Sequence, residues 1–187
     1  DLLYTISNRG EVKSISNMWF NYYVPEKLIK NSKIQFLNDS NKIVIPSNNK
    51  FLVWDIVSKE YEEIKYTLPA NFIKMKWCGS NQPYSFILLN HNRELIEGNA
   101  NTENSKKIHV ETRGNIIDFC IFEKTICVLD NTGQFTVYNL QTKSVLFKEE
   151  FGKTAKQIYE YPPGKNILIV HENFLQIFSL ELRTNQR

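Results

Sequence analysis

The chain has 187 residues, of which 42% are hydrophobic and 23% are charged, so it contains enough apolar material for a packed core and is not expected to be disordered throughout. The net charge is only +3, with 23 Lys and Arg interspersed among 20 Asp and Glu, whereas dedicated DNA-binding domains gather a larger positive charge on one face. The apolar runs are too short for a membrane-spanning helix, and the first residues show no signal peptide.

Five segments share one design, in which a short apolar strand, a polar turn and a second strand follow one another. Their turns lie at residues 8–10, 47–50, 90–93, 130–133 and 171–173. The first residues after successive turns are 40, 43, 40 and 40 positions apart. A period of about 40–45 residues is that of a four-stranded propeller blade. The pattern therefore predicts repeated antiparallel blades.

Further strands flank these hairpins and complete the predicted blades. The segments that precede the second to fifth hairpins are 33–37, 72–77, 116–121 and 156–161. The segments that follow the first four are 19–24, 61–66, 107–111 and 144–148. The second strand of each blade is apolar throughout, which is typical of a strand covered on both faces. The polar segment 97–105 is predicted to be a flexible loop inserted in the third blade.

At this level the chain resembles a WD40-type β-propeller. The pair Trp54-Asp55 stands where that family has its namesake dipeptide. At the corresponding position, the fourth and fifth repeats have Tyr138-Asn139 and Phe178-Ser179. The Gly-His dipeptide typical of the family is absent from the sequence. The resemblance implies an all-β fold of four-stranded antiparallel blades, without the buried Asp–His–Ser/Thr–Trp hydrogen-bond network of ideal repeats.

The repeat predicts a single WD40-like propeller region over residues 1–187. Its blade units lie at about 1–30, 31–70, 71–113, 114–153 and 154–187. The resemblance implies seven blades, which at this period need about 280–300 residues. We therefore expect an incomplete seven-bladed ring, either a fragment or a chain completed by another chain. The alternative is a closed five-bladed propeller.

No pattern in the sequence indicates an enzyme. The histidines lack metal-ligand spacing, and there is neither a Gly-rich phosphate loop nor a Gly-x-Ser-x-Gly elbow. We therefore predict no catalytic, cofactor-binding or metal-binding residue, no cofactor and no small-molecule substrate. A hydrolase or isomerase would need carboxylates that converge in a propeller channel, for which the candidates are Asp55, Asp118 and Asp130. Asp130 is more simply explained as a turn former.

Two groups of residues are candidates for binding a partner. The first group is basic and occupies equivalent turns, which stacked blades would place in a row for an acidic peptide or a phosphate backbone. Its members are Arg9, Lys50 and Arg93. The second group is aromatic, and such side chains either anchor interfaces or fill the space between blades. Its members are Trp19, Phe20 and Tyr22.

These observations predict a non-catalytic protein–protein interaction scaffold, a propeller subunit of a larger intracellular complex. The expected partners are other protein subunits, without a membrane. The alternative is a subunit that contacts RNA or DNA in a nucleoprotein assembly through a weak basic rim.

The three cysteines favour a reducing compartment, because their number is odd and their spacing is unpaired. They are Cys78, Cys120 and Cys127. A nuclear location is favoured over a cytoplasmic one. If residues 123–124 form a two-residue turn, Cys120 and Cys127 face each other, most simply as two small buried hydrophobic residues.

Overall fold

The computed structural model describes β-strands and the turns that join them. The described residues are 4–6, 11–14, 21–23, 35–36, 42–47, 50–55, 57–66, 72–78, 84–102, 104–122, 124–161 and 166–180. They form five sheets, of three, four, four, four and three strands. In each sheet, strands that follow one another in sequence are hydrogen-bonded neighbours. The described part of the chain contains no helix with the length and apolarity needed to cross a membrane.

The strand bounds follow the order of the chain. The first sheet contains β1 (Tyr4–Ile6), β2 (Glu11–Ser14) and β3 (Asn21–Tyr23). The second contains β4 (Gln35–Phe36), β5 (Lys42–Ser47), β6 (Lys50–Asp55) and β7 (Tyr61–Lys65). The third contains β8 (Phe72–Trp77), β9 (Ser85–Asn90), β10 (Leu95–Asn99) and β11 (Asn104–Ile108). The fourth contains β12 (Ile116–Phe122), β13 (Thr125–Asp130), β14 (Gln134–Asn139) and β15 (Ser144–Glu150), and the fifth contains β16 (Ala155–Tyr161), β17 (Asn166–His171) and β18 (Leu175–Ser179).

The chain divides into two compact units. Unit 1 comprises residues 1–70, 79–84 and 99–104, and unit 2 comprises residues 71–78, 85–98 and 105–187. In unit 1, strand β6 has four consecutive buried residues, Phe51 to Trp54. The Phe51 ring stacks on Tyr66 at a centroid distance of 5.7 Å, so this core joins β6 to the residue that follows β7.

The core of unit 2 consists of two apolar layers. One layer contains Ile87 and Leu89 of the third sheet together with Ile126 and Val128 of the fourth. The other contains Cys127 and Leu129 of the fourth sheet, with Ile167 and Ile169 of the fifth. Because side chains alternate between the two faces of a strand, β13 contributes to both layers and is buried along nearly its whole length. The prediction that this strand is covered on both faces is confirmed.

The polar segment 97–105 was predicted to be a loop, and this prediction is wrong. Strand β10 continues to Asn99, and β11 begins at Asn104. The Asn99 side-chain oxygen accepts hydrogen bonds from the backbone N–H groups of Asn101 (2.9 Å) and Thr102 (3.3 Å). This side-chain cap closes a tight turn, so polar composition here marks a turn and an exposed strand rather than an insertion.

The pairing of Cys120 with Cys127 follows the prediction. The two residues are directly opposite each other on β12 and β13. Both are buried, and all three cysteines are free thiols.

Irregularities occur near the start of three strands that each begin a sheet. The register shifts between Phe72 and Lys74 in β8, between Ile116 and Asp118 in β12, and between Ala155 and Gln157 in β16. A bulge re-aims the side chains that follow it. In this protein the bulges precede Lys74 and Asp118, whose contact is described below.

Candidate interaction rim at the hairpin turns

One end of the sheets in unit 2 contains the turns β9–β10, β13–β14 and β17–β18, and the loops 109–115 and 151–154 that enter β12 and β16. We refer to this end as the rim.

Asp130 fixes the β13–β14 turn of the rim. The Asp130 Oδ1 atom accepts hydrogen bonds from the Thr132 hydroxyl (2.6 Å), the Thr132 N–H (2.9 Å) and the Gln134 N–H (3.0 Å). Loss of this carboxylate would leave these donors without an acceptor.

Asp130 also holds the loop that enters β12. Its Oδ2 atom accepts hydrogen bonds from the backbone N–H groups of Gly114 (2.9 Å) and Arg113 (3.1 Å). Burial raises the pKa of Asp130, but hydrogen bonds from the Thr132 side chain and the Gly114, Gln134 and Thr132 amides outweigh burial and lower the pKa from 3.8. The sequence prediction that Asp130 is a turn former is therefore confirmed, and the carboxylate also connects two rim segments.

The neighbouring turns are fixed in related ways. Asn90 accepts a hydrogen bond from the Glu94 N–H (2.9 Å) and thereby closes the β9–β10 turn. In the fifth sheet, His171 Nδ1 lies 3.0 Å from the Thr154 hydroxyl. The Glu172 N–H donates to the Thr154 carbonyl at 3.0 Å. Each of these contacts restricts the conformations of an exposed segment, so the rim presents loops in defined positions.

The predicted basic residues of the turns have different outcomes. Arg9 lies outside the described residues. Lys50, in unit 1, begins β6 and forms an exposed ion pair with Glu63 at 2.6 Å. Arg93, in unit 2, is exposed at a backbone φ of 64°, and no carboxylate among the described residues forms an ion pair with it. The row of three basic residues stays a prediction.

The predicted aromatic residues are less well defined. Trp19 and Phe20 lie outside the described residues. Tyr22 lies in β3, directly opposite Val12 of β2, and its side chain is outside the described part of the structure. Whether these residues bind a partner stays a prediction.

Two further basic residues at the rim were missed by the sequence reasoning, which examined only hairpin turns. Arg113 is exposed in loop 109–115, and its guanidinium lies 2.6 Å from Glu150. Lys153 is exposed in loop 151–154. The signal was present, because these two residues lie one repeat of 40 residues apart. With Arg93, they place a cation at the rim of each of the three sheets of unit 2.

The three carboxylates considered for a channel occupy separate structural positions. Asp55, at the end of β6, accepts hydrogen bonds from the Val57 N–H (2.9 Å) and the Ser58 N–H (3.0 Å). Asp118, in β12, is 2.6 Å from the Lys74 ammonium. Asp130 holds the rim as described above. Within the described ranges, no three His, Cys, Asp or Glu side chains are grouped as metal ligands.

The position of the Trp-Asp pair has a repeated structural function. Asp55, Asn99 and Asn139 each end the third strand of a sheet, and each side chain accepts hydrogen bonds from the N–H groups two and three positions later. Four positions after the first and last of these residues, Lys59 and Lys143 both have positive φ angles, of 61° and 54°. The residue type at this position varies between Asp and Asn because both can form this cap.

Comparisons with known proteins give a likeness in fold. No family model matches the chain, and no curated protein matches it. The structure is similar to that of the N-terminal domain of Nup159, with a TM-score of 0.55 and 12% identity over 92% of this chain and 53% of that chain. It is also similar to a chain in the complex of S. cerevisiae Dbp5 with Nup159, Gle1, IP6 and ADP, with a TM-score of 0.55 and 11% identity over 94% of this chain and 57% of that chain.

A third similar structure is the computationally designed Ika8 protein, with a TM-score of 0.55 and 8% identity over 95% of this chain and 55% of that chain. The chain therefore spans about half the length of the structures it matches. The Nup159 domain is a β-propeller, and the sheets described above have the strand order and antiparallel pairing of propeller blades. The chain has a β-propeller-like fold.

Proposed function

We propose that this chain is a non-catalytic platform for protein–protein interaction and belongs to a larger intracellular complex. The observation that supports the proposal best is the construction of the rim. Side-chain caps hold its loops in place, and basic side chains project from three successive sheets. A rigid scaffold that presents several exposed loops is suited to binding partners without a reactive group. Acidic groups on such a partner would lie opposite Arg93, Arg113 and Lys153.

The likeness in fold supports the same proposal by analogy. One matched structure contains Nup159 bound to other proteins, Dbp5 and Gle1. We further propose that the chain is a divergent WD40-like portion of a larger, seven-bladed propeller, because it spans about half of the structures it matches.

An intracellular and nuclear location is consistent with three free thiols. Fluorescence microscopy of the tagged protein in its own cells tests this location.

Affinity purification from the native cells tests the platform proposal. The unsubstituted protein is expected to recover a stoichiometric set of protein subunits. The variant Arg93→Glu/Arg113→Glu/Lys153→Glu reverses charge at the rim and is expected to lose at least one subunit. Lys124→Glu is the matched control, because Lys124 is exposed at the opposite end of the fourth sheet. Recovery of no stoichiometric partner by the unsubstituted protein would contradict the proposal.

The same three cations support a second candidate function, which is contact with RNA or DNA in a nucleoprotein assembly. Cationic side chains that neutralise phosphates make binding fall steeply as salt rises. Fluorescence anisotropy with a labelled single-stranded RNA at low and high salt distinguishes this function. Absence of binding at low salt excludes it, whereas salt-dependent binding that the triple rim variant abolishes favours it.

A further inference from the structure

The last sheet of unit 2 exposes an apolar face. Residues directly opposite each other in antiparallel strands share a face of the sheet. On this face Tyr159 is opposite Leu168, which is opposite Ile177, while Val170 is opposite Leu175. We call it the open face, and it comprises Gln157, Tyr159, Tyr161, Asn166, Leu168, Val170, Leu175, Ile177 and Ser179. Leu175, the first residue of β18, is 66% exposed, and Ile177, in the middle of that strand, is 57% exposed. Such exposure is unusual for aliphatic residues of a β-sheet.

The equivalent face of the fourth sheet is buried. The residues of the fourth sheet that are equivalent to Tyr159, Leu168 and Ile177 are Cys120, Cys127 and Val137. They lie directly opposite one another across the first three strands, as their equivalents do. Cys120 and Cys127 are fully buried, and Val137 is 3% exposed. This row packs in one core layer with isoleucines of the fifth sheet. Those isoleucines are Ile158, Ile167 and Ile169. They lie on the side of the fifth sheet opposite to the open face.

The third sheet repeats this arrangement. Its corresponding face contains Ile87, Leu89 and Leu95, all fully buried. They pack in one core layer with residues of the fourth sheet. These are Phe119, Ile121, Ile126, Val128 and Tyr138. The same interface therefore occurs twice in succession within unit 2. In each case the following sheet covers the face with aliphatic and aromatic side chains from alternate positions of its first three strands.

We propose that the open face is the docking surface for one further antiparallel propeller blade, supplied from outside these 187 residues. The proposal continues an interface that this unit already contains twice. The open face has no charged side chain, so a charged partner surface would lose hydration without gaining an ion pair. The docking face of the incoming blade is expected to carry aliphatic and aromatic residues at alternate strand positions, as β17 does with Ile167 and Ile169. The inference rests on the proposal that the chain is a portion of a larger propeller, and it is independent of the partners bound at the rim.

Site-specific photocrosslinking tests the docking surface in the protein expressed in its own cells. The probe, p-benzoylphenylalanine, replaces Leu175 on the open face or Gln141 in the β14–β15 turn, and crosslinked peptides are identified by mass spectrometry. Gln141 is the matched control because it is exposed in a turn at the end of the fourth sheet opposite to the rim. We expect position 175 to crosslink several-fold more than position 141. The expected adduct is a strand with alternating apolar residues that is encoded outside the 187 residues.

A second substitution tests the apolar character of the contact. In the background that carries the probe at position 175, Ile177→Lys places a charge in the centre of the open face and is expected to lower the crosslinking yield about tenfold. Gln141→Lys adds the same charge in the β14–β15 turn and is expected to leave the yield unchanged. Because Ile177 is largely exposed in this chain, the substitution is compatible with folding. Circular dichroism of the purified variant checks this directly.

Four results would overturn the proposal. A crosslink to β16–β18 of a second copy would identify a homodimer, and one to residues 1–30 of the same chain would favour a closed five-bladed ring. A crosslink to a helical or irregular segment of another protein would identify a partner of a different class. A yield at position 175 no greater than that at position 141 would show that the open face is exposed to solvent in the cell.

Discussion

At the scale of single residues, the Asp130 carboxylate accepts five hydrogen bonds from two segments of the rim. We expect Asp130→Ala to lower the free energy of unfolding by about 2–4 kcal/mol, because several buried or half-buried N–H groups lose their acceptor. The pKa of Asp130 is lower in the folded protein than its ordinary value of 3.8. Its contribution to stability is therefore present above pH 3.8 and disappears as the pH falls through the folded-state pKa.

Urea unfolding of the unsubstituted protein and the variant between pH 2.5 and pH 7 measures this contribution. The difference in free energy of unfolding is expected to stay constant above about pH 5 and to narrow below pH 3.8. A difference that does not depend on pH would show that the charge of the Asp130 side chain is unimportant for the turn.

The three thiols should react slowly in the folded protein. Burial, together with the nearby Glu97 carboxylate, raises the pKa of Cys78 to about 12. Burial and the neighbouring Cys120 raise the pKa of Cys127 well above 9.0. Because the thiolate is the nucleophile, we expect alkylation of Cys78 by iodoacetamide at pH 8 to be about a thousandfold slower than in the unfolded chain. Mass spectrometry of timed samples, with the urea-unfolded protein as the control, measures this ratio.

Cys120 and Cys127 should be protected longer than Cys78, because they are fully buried and Cys78 is only half-buried. Their alkylation then reports opening of the layer between the fourth and fifth sheets. Rapid alkylation of this pair under native conditions would contradict the packing described for that layer.

At the scale of structural elements, alanine substitutions at two glycines with similar backbone conformations are expected to lower stability by different amounts. Gly133 has a φ of 89°, and a Cβ atom there would lie 2.2 Å from the carbonyl oxygen of Gly152. Gly152 has a φ of 77°, but a Cβ atom there would meet no heavy atom within 4 Å. We expect Gly152→Ala to cost about 1–2 kcal/mol from backbone strain alone. Gly133→Ala should cost at least about 2 kcal/mol more, because the two turns must separate.

Thermal and urea unfolding of the two variants, which make the same change of residue, provide the comparison. Equal losses of stability in Gly133→Ala and Gly152→Ala would show that the close approach of the two turns does not constrain the fold.

The hairpins were predictable because their signals are local. An apolar strand next to a polar turn is visible within about ten residues. Five such patterns at a nearly constant spacing of 40 to 43 residues would not be expected by chance. The turn after Asn99 was not predictable in the same way, because its polar residues fit an exposed strand, a capped turn and a loop equally well. Only the hydrogen bonds from Asn101 and Thr102 to the Asn99 side chain distinguish these alternatives.

The rim was less predictable than the hairpins. The spacing of Arg113 and Lys153 indicates equivalent loops, but the position of Arg113 depends on a hydrogen bond from its N–H to Asp130, which is 17 residues away in sequence. The ion pair between Lys50 and Glu63 likewise depends on the register of β6 with β7. Register and bulges are set by tertiary packing, so composition alone did not indicate which cations are paired.

At the scale of the molecule, one buried charge connects three sheets of unit 2. The Asp118 side chain in β12 is 6% exposed and lies 2.6 Å from the Lys74 ammonium of β8. It also accepts a hydrogen bond from the Ile158 N–H of β16 at 2.8 Å. The Lys74 ammonium in turn lies 5.1 Å from the centre of the Tyr159 ring, also in β16. The bulges in β8 and β12 directly precede these two charged residues, so local irregularity in each strand serves a contact between sheets.

We expect Asp118→Ala to lower the free energy of unfolding by about 3–5 kcal/mol, because it leaves a largely buried ammonium without its counter-ion. The substitution also leaves the buried Ile158 N–H without its acceptor. Lys74→Met should lower the free energy of unfolding by less, because Asp118 keeps its hydrogen bonds from the Phe119 and Ile158 N–H groups.

A double-mutant cycle with Lys74→Met and Asp118→Ala should give a coupling energy of about 1–3 kcal/mol. Since the contact joins three sheets, Asp118→Ala should also reduce the slope of the urea transition as the sheets begin to unfold separately. Additive effects of the two substitutions with an unchanged slope would show that these sheets are held together by their apolar layers alone.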